Sequence, residues 1–457
     1  MNDEQQIRSL LAVAAEPSDQ VQPPVERLLG RSRRARKARA ACSVLGVAAL
    51  ASATFALPPV VRSLSHGQSG PGPTASQSPG PTAAELSRFR WSALPASPLG
   101  PRSQPLLAWT GKYLLELGGA KNGTTQDSGA AFDPGTRRWH RIAQVRANVG
   151  FSNAVAVWTG RQLFVVNGQL DMCLMVPGHP SETSRCLPNA GLYDPAADRW
   201  TTTRLPGKMW GLTLMAAAWT GRDIVIAGVN ARRGRPGVAA YDPATRHWQM
   251  ITPQLPARHS PVAFAMVAAS NRVILWSLWS RSKKISKNGY SVSSGIDVLS
   301  LDRSGRWSTV TGNWPQHTVV ENPAYGSGKI LIPSGQIWCG LCSHPYGDSP
   351  AKLADADTLG LTSVPAGPLA SRDFIEPSIW LWNGSSALAA NVGTPWSEPA
   401  GVHMAWISQM AAFDPASRRW HALPVPPGRA LIAANPLWAG RQLLLLTEGG
   451  GLLSFHR

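Results

Sequence analysis

Acidic side chains are scarce in this chain: 26 Asp and Glu stand against 44 Lys and Arg, and charged residues make up only 15% of its 457 positions. With 43 Gly and 39 Pro, that composition argues against a disordered polyelectrolyte and against a helical protein, and favours a turn-rich all-β fold. Local catalytic signatures are missing too. There is no nucleophile elbow, no metal-binding helix motif and no Gly-rich phosphate loop. Long apolar runs are absent apart from one near the N-terminus. What the chain has in excess is tryptophan, 19 residues, and positive charge, a net +18. Residues 1–85 hold nine Lys/Arg and six Asp/Glu, so most of the excess belongs to 86–457. A basic surface attracts nucleic acid, lipid head groups and anionic polymers alike, and compartment must choose among them.

The one apolar run, 40–61, carries no charge over 22 residues and is long enough to span a bilayer. Arg31, Arg33, Arg34, Arg36, Lys37 and Arg39 precede it and only Arg62 follows closely, so the positive-inside rule places 1–39 in the cytoplasm and the rest outside. A cleaved signal peptide is the alternative, with Thr54-Phe55-Ala56 as its cleavage site. The expected organisation is a basic cytoplasmic tail (1–39), a transmembrane helix (40–61), a Pro/Gly/Ser-rich linker (62–85) and an extracytoplasmic domain (86–457). The protein is thus expected in the plasma membrane with a single pass, and this topology disfavours nucleic acid as a partner.

Two interleaved motifs recur every fifty to sixty residues through 86–457. The first is an apolar run, Trp, a tight turn and another apolar run, as at Trp109-Thr110-Gly111, Trp158-Thr159-Gly160, Trp219-Thr220-Gly221 and Trp438-Ala439-Gly440. Weaker copies stand at Trp382-Asn383-Gly384, Ala269-Ser270-Asn271 and Gly326-Ser327-Gly328. The second is aromatic-Asp-Pro, four residues and Trp: Phe132 to Trp139, Tyr193 to Trp200, Tyr241 to Trp248 and Phe413 to Trp420, with degenerate copies from Asp302 and Asp355. An Asp that accepts from its own turn, followed by a Pro with preset φ, makes a tight link between two strands. A four-stranded sheet with two apolar faces cannot bury them alone, but sheets stacked radially into a closed ring can. Seven turns imply an all-β propeller of about seven four-stranded blades. A six-bladed count stays open because blade five lacks both tryptophans. After Trp438 there is room for three strands, so residues 88–94 are expected to supply the fourth.

The pattern resembles the kelch repeat, found also in galactose-oxidase-like propellers. Gly118-Gly119 matches that family's Gly pair, whereas Asn167-Gly168, Ala227-Gly228 and Ser334-Gly335 keep a single Gly. The resemblance implies a propeller. It brings in copper radical oxidases and sugar-epimerising enzymes as relatives, but only six Tyr are present and Tyr193 and Tyr241 are spent in turns, so no copper ligand set is assembled and no cofactor or metal is expected.

Propeller topology puts the short a–b and c–d turns on one face and the longer b–c and d–a connections on the other, where function is expected. Each d–a connection carries a basic or imidazole side chain: Arg102, Arg146, Lys208, Arg258, His317, Arg372 and Arg429. These form either an anion-attracting ring around the channel mouth or a set of loop-carbonyl donors. Two neighbouring b–c loops add Arg232, Arg233 and Arg235, then Arg281, Lys283, Lys284 and Lys287. Cys173, Cys186, Cys339 and Cys342 fall in b–c loops, and an oxidising compartment favours disulfides. Of three connectivities, 173 with 186 and 339 with 342 are expected because each pair shares a loop. The leading expectation is a surface binding or scaffolding module for an anionic glycan, a wall polymer or a protein. The alternatives are a sugar-modifying isomerase or oxidase, with Arg372, His317, Asp373 or Glu376 near the channel mouth, and a signalling protein acting through Ile7, Leu10, Leu11 and Ala14 of its tail.

Overall fold

The computed structural model describes residues 80–457 apart from 123, 146–150, 152–153, 169–188, 231–234, 257–258, 260, 271, 287–288, 311–322, 334–350, 366, 370–378 and 394–404. The segments read as tail, membrane span and most of the linker lie outside this range. Among the described residues no helix is long and apolar enough to cross a membrane.

Seven four-stranded antiparallel sheets form, in chain order, a seven-bladed propeller. In six of them the strands follow chain order, a to d, beginning with Leu106–Trp109, Leu114–Leu117, Gly129–Asp133 and Arg138–Arg141 in blade one, where the short ribbon Ala120–Lys121 with Thr124–Thr125 intervenes between b and c. In the seventh, Leu437–Ala439, Gln442–Leu446 and Leu452–His456 are completed by Arg90–Leu94 from the start of the domain. That closure spans Arg90↔His456 to Leu94↔Leu452. Blade five, though degenerate in sequence, is complete, from Ala324–Gly326 to Leu361–Ser363.

The repeat motifs owe their form to the turns they make. Thr110, Thr159 and Thr220 each accept, on Oγ1, the amide of the residue three positions on, at 2.8, 2.9 and 2.8 Å. In the c–d links Asp133, Asp194, Asp242, Asp302, Asp355 and Asp414 each accept the amide two residues on at 2.8–3.1 Å. The copies at Asp302 and Asp355 work without a following Pro because the carboxylate supplies the turn.

In four of these links the aromatic before the Asp pairs across the hairpin with the Trp that opens strand d. Phe132 and Trp139 stand 5.2 Å apart, Tyr193 and Trp200 5.1 Å, Tyr241 and Trp248 4.8 Å, Phe413 and Trp420 5.4 Å. The indole then reaches the preceding blade. Trp139 donates to Pro95 O at 2.8 Å, Trp200 to Ala143 O at 2.8 Å and Trp248 to Thr203 Oγ1 at 3.1 Å. Trp307 donates to Ile251 O at 2.5 Å, Trp420 to Pro365 O at 3.1 Å and Trp91 to Pro424 O at 2.9 Å. Only the junction of blades four and five lacks this bond, because Leu361 replaces Trp; there Tyr325 Oη meets Ser270 Oγ at 3.2 Å.

A strap precedes the closing strand. Gly80 donates to Asn383 O at 3.1 Å, and Thr82 and Glu85 form a capping box on the short helix Ala83–Leu86. Ala83, Leu86 and Phe89 are buried against blades six and seven. Residues 80–457 therefore contain every strand of the ring and both sides of its closure, a complete folding unit.

The indole bonds set an expectation for Trp91. Trp91→Phe leaves the Pro424 carbonyl without its donor and should cost about 1–2 kcal/mol, while Trp91→Ala also empties the space beside Phe455 and should cost roughly 3 kcal/mol or more. Urea unfolding of residues 80–457 reads both; equal stabilities for Phe and Trp would show that ring packing alone closes the blade.

Candidate functional site

Antiparallel order within each blade sends the a–b and c–d turns to one side of the disc, here the short-turn face, and the b–c and d–a connections to the opposite, long-loop face. Of the expected ring on the latter, Arg102, Lys208 and the backbone of Arg429 are described; Arg146, Arg258, His317 and Arg372 lie outside the described residues, as do Asp373, Glu376, Arg232, Arg233 and all five cysteines.

Arg102 is 7% exposed. Its guanidinium donates to Gly118 O at 2.8 Å and to the Ser128 carbonyl and hydroxyl at 3.3 and 2.9 Å. It thereby ties the two ends of the first b–c loop to the connection before strand a, the loop-carbonyl role. Burial pushes its pKa down. Gly118 and Gly119 adopt φ of 65° and 79°, and a Cβ would strike Phe151 at the first and Ser103 O at the second, so the Gly pair is the space this packing occupies.

Beside it lies a carboxylate for which the sequence offered no signal except an interrupted apolar run, Leu114-Leu115-Glu116-Leu117. Register against strand c places Glu116 level with Val165, Ile226, Leu275, Ile332, Ala389 and Leu445 of the other blades. Glu116 is wholly buried, with one oxygen accepting from the Ser97 hydroxyl and the other without a hydrogen-bond partner. Desolvation raises its pKa, opposed by Ser97 and by the charge of Arg102.

Lys208 sits exposed on a single 3-10 turn, Gly207–Met209, and Arg429 occupies the corresponding turn Pro427–Arg429 before blade seven. Two residues past Lys208, Trp210 is the most exposed of the described aromatics that the propeller does not bury, at 38%. Its indole N–H donates to Leu205 O at 3.0 Å and the Arg204 guanidinium lies 4.7 Å from the ring centroid. The neighbouring Gly211 carbonyl receives Asn230 Nδ2 at 3.0 Å, and Asn230 pairs with Arg235 at the base of the blade-three hairpin. Arg204, Lys208, Trp210 and Arg235 thus gather on one stretch of the long-loop face. Trp210 has no place in either repeat motif, and that was its only sequence signal.

Blade four carries the longest hairpin. Strands Arg272–Ser286 and Gly289–Leu301 continue past Pro261↔Trp279, where strand a ends. The two-stranded remainder, with Lys283↔Ser291 and Lys284↔Tyr290 in register, projects about 23 Å at ~3.3 Å per residue. At its root His259 stacks on Trp279, with centroids 3.9 Å apart, and its Nδ1 lies 2.9 Å from Asp297 Oδ2.

No protein-family model and no curated protein matches the chain. A solved structure described as "Structure of YjhT" is 16% identical, with 60% of this chain and 87% of that one covered and a TM-score of 0.40. A likeness of that degree carries no argument about what this protein does.

Glu116 generates a pH prediction. Its folded pKa lies above the unfolded value near 4.5, so the native state binds more protons and stability is full below that value and falls as pH rises through the folded pKa. Glu116→Gln should therefore be more stable than the parent at pH 7 and equal to it near pH 4 in urea titrations. A less stable variant at pH 7 would mean that the ionised carboxylate is needed as a partner for Arg102.

Proposed function

We propose that this protein is a membrane-anchored, extracytoplasmic binding module of kelch-like, galactose-oxidase-like type, and that it recognises an anionic glycan or wall polymer on its long-loop face. Support for anchorage comes from the uncharged run 40–61 behind a block of six basic residues. The observation that carries the ligand class is the exposed Trp210 ring with Arg204 against it and with exposed Lys208 and Arg235 on the adjoining turn and strand end. An indole offers a flat apolar surface to a sugar ring while guanidinium and ammonium groups meet carboxylate, sulfate or phosphate substituents. The blade-four arm carries Arg281, Lys283 and Lys284 in its sequence, with Lys287 and the side chains of all four outside the described residues, and on this reading their charge would extend the attraction beyond the disc. The ring positions Arg146, Arg258, His317 and Arg372 belong to the same proposal, as do the disulfides between Cys173 and Cys186 and between Cys339 and Cys342, which would brace b–c loops of that face.

A sugar-modifying activity is the second reading, and His259 is what favours it. A carboxylate on Nδ1 orients the imidazole, as in a general base held by an acidic partner. Trp279 stacked on the ring gives that base an apolar wall.

The test is a binding titration of residues 80–457 with a sulfated or uronic-acid polysaccharide. Binding should weaken as salt rises. Trp210→Ala should weaken it roughly 30-fold, the loss of an aromatic anchor of about 2 kcal/mol, and Lys208→Gln with Arg235→Gln should flatten the salt dependence. Salt-insensitive binding, or equal affinity in Trp210→Ala, would remove this site from the recognition surface.

A further inference from the structure

The short-turn face carries cations that recur from blade to blade. Directly after the a–b turn residues, six blades place a cation: Lys112, Arg161, Arg222, Arg272, Lys329 and Arg441. Three of these lean on the turn Asp of their own blade: Arg161 on Asp194 at 3.7 Å, Arg222 on Asp242 at 3.9 Å and Lys329 on Asp355 at 3.0 Å. The turn carboxylates, already committed to backbone amides, are thereby partly neutralised within the blade.

A second set of cations stands in the c–d turns without that neutralisation. Arg137, Arg246 and Arg418 occupy the same left-handed position in their turns, with φ of 55°, 57° and 57°, and all three are exposed. Arg138 and Arg419 follow two of them, also exposed. Blade two has Asp198 at that position and blade five Leu359, while blade four makes a shorter turn through Gly305, so the set comes from blades one, three and six. Closed-ring geometry sets these side chains around one flat face at similar height, which suits a planar anionic partner better than a groove-bound one.

Two further observations point to what that partner is. The strap fastens the chain to this face: Gly80 and Pro81 bond to Asn383 and Ser386 of the blade-six a–b turn. The seventeen residues between Arg62 and Gly80 can reach at most roughly 60 Å when fully extended. Next to the strap, a cavity of about 470 Å³ is lined by Arg88, Arg441, His456 and Arg457, with Glu85 as its one carboxylate side chain. That is room and charge for a phosphate head group.

We propose that the short-turn face docks flat on an anionic phospholipid bilayer, so that the long-loop face is presented away from the membrane. The inference rests on the reading of 40–61 as a membrane span, which keeps a bilayer within reach of this face. Each Lys or Arg near an anionic surface adds a small, salt-screened increment, and a ring of them sums to useful binding only when all reach the plane together.

Residues 80–457, which lack the apolar run, isolate the face from the anchor in co-sedimentation with phosphatidylcholine vesicles with and without phosphatidylglycerol. Binding is expected only to vesicles containing phosphatidylglycerol. The triple change Arg137→Asn, Arg246→Asn and Arg418→Asn should weaken it roughly 100-fold. Asn accepts left-handed backbone better than Arg, so the variant should keep or raise the melting temperature. Its polysaccharide affinity should be unchanged, and Trp210→Ala should leave vesicle binding unchanged, which separates this proposal from the long-loop reading. Equal binding to neutral vesicles, no binding to either, or full binding by the triple variant would overturn it. Loss of polysaccharide rather than vesicle binding in the triple variant would overturn it too, assigning the face to a soluble polymer.

Discussion

Everything in this molecule depends on blades that cannot stand alone being fastened to their neighbours, and the indole N–H of strand d is the fastening. A blade buries apolar side chains on both faces, so its stability is mostly interfacial. Side-chain packing makes such an interface favourable but leaves blades free to slide. A directional hydrogen bond from Trp to a carbonyl or hydroxyl of the preceding blade fixes the radial register at six of the seven junctions. One residue type thus joins two scales: its ring packs on the aromatic across its own hairpin, and its N–H crosses to the next sheet. At closure the same bond comes from Trp91, on a strand drawn from the other end of the chain, so the ring is locked by the device that builds it.

A closed ring separates two faces with different physics. On the short-turn side tight hairpins recur from blade to blade, broken only where the c and d strands of blade seven come from the two ends of the domain, so side chains return at similar heights. On the long-loop side connections differ in length, and what they make is local: Trp210 with its cations over blades two and three, the arm of blade four with His259 at its root, and the buried Glu116 beside Arg102 at the closure. Periodicity suits a surface; irregularity suits a ligand. The two proposals divide along that line, one face toward a membrane and the other toward a polymer.

Much of the fold was legible because its turns are chemical signatures. The Asp-Pro links, the Trp-Thr-Gly turns and the orphan strand at Phe89-Arg90-Trp91 read directly into blades and closure, with the strand itself beginning at Arg90. Blade five was the faint one, since Leu361 replaces its Trp, yet Asp355 still accepts the amides of Asp357 and Thr358 and the sheet forms. The site was less legible. A rule of one basic residue per d–a connection put Arg102 and Lys208 together, but the first is buried on loop carbonyls and the second is exposed beside Trp210. Spacing along a chain does not say which way a loop side chain turns. Glu116, Trp210 and His259 had no repeat to betray them, because each gains its meaning from a neighbour far away in sequence or outside the motif.

The sequence by itself determined the repeat, the strand-turn grammar, the number of tight turns and the strand left over for closure, because those follow from interactions within about ten residues. Tertiary structure alone decided which cations are buried, which aromatic stays exposed, and which face the chain joins at Gly80. Those outcomes depend on the closing of the ring, which brings residues from opposite ends of the chain together and settles the environment of every loop at once.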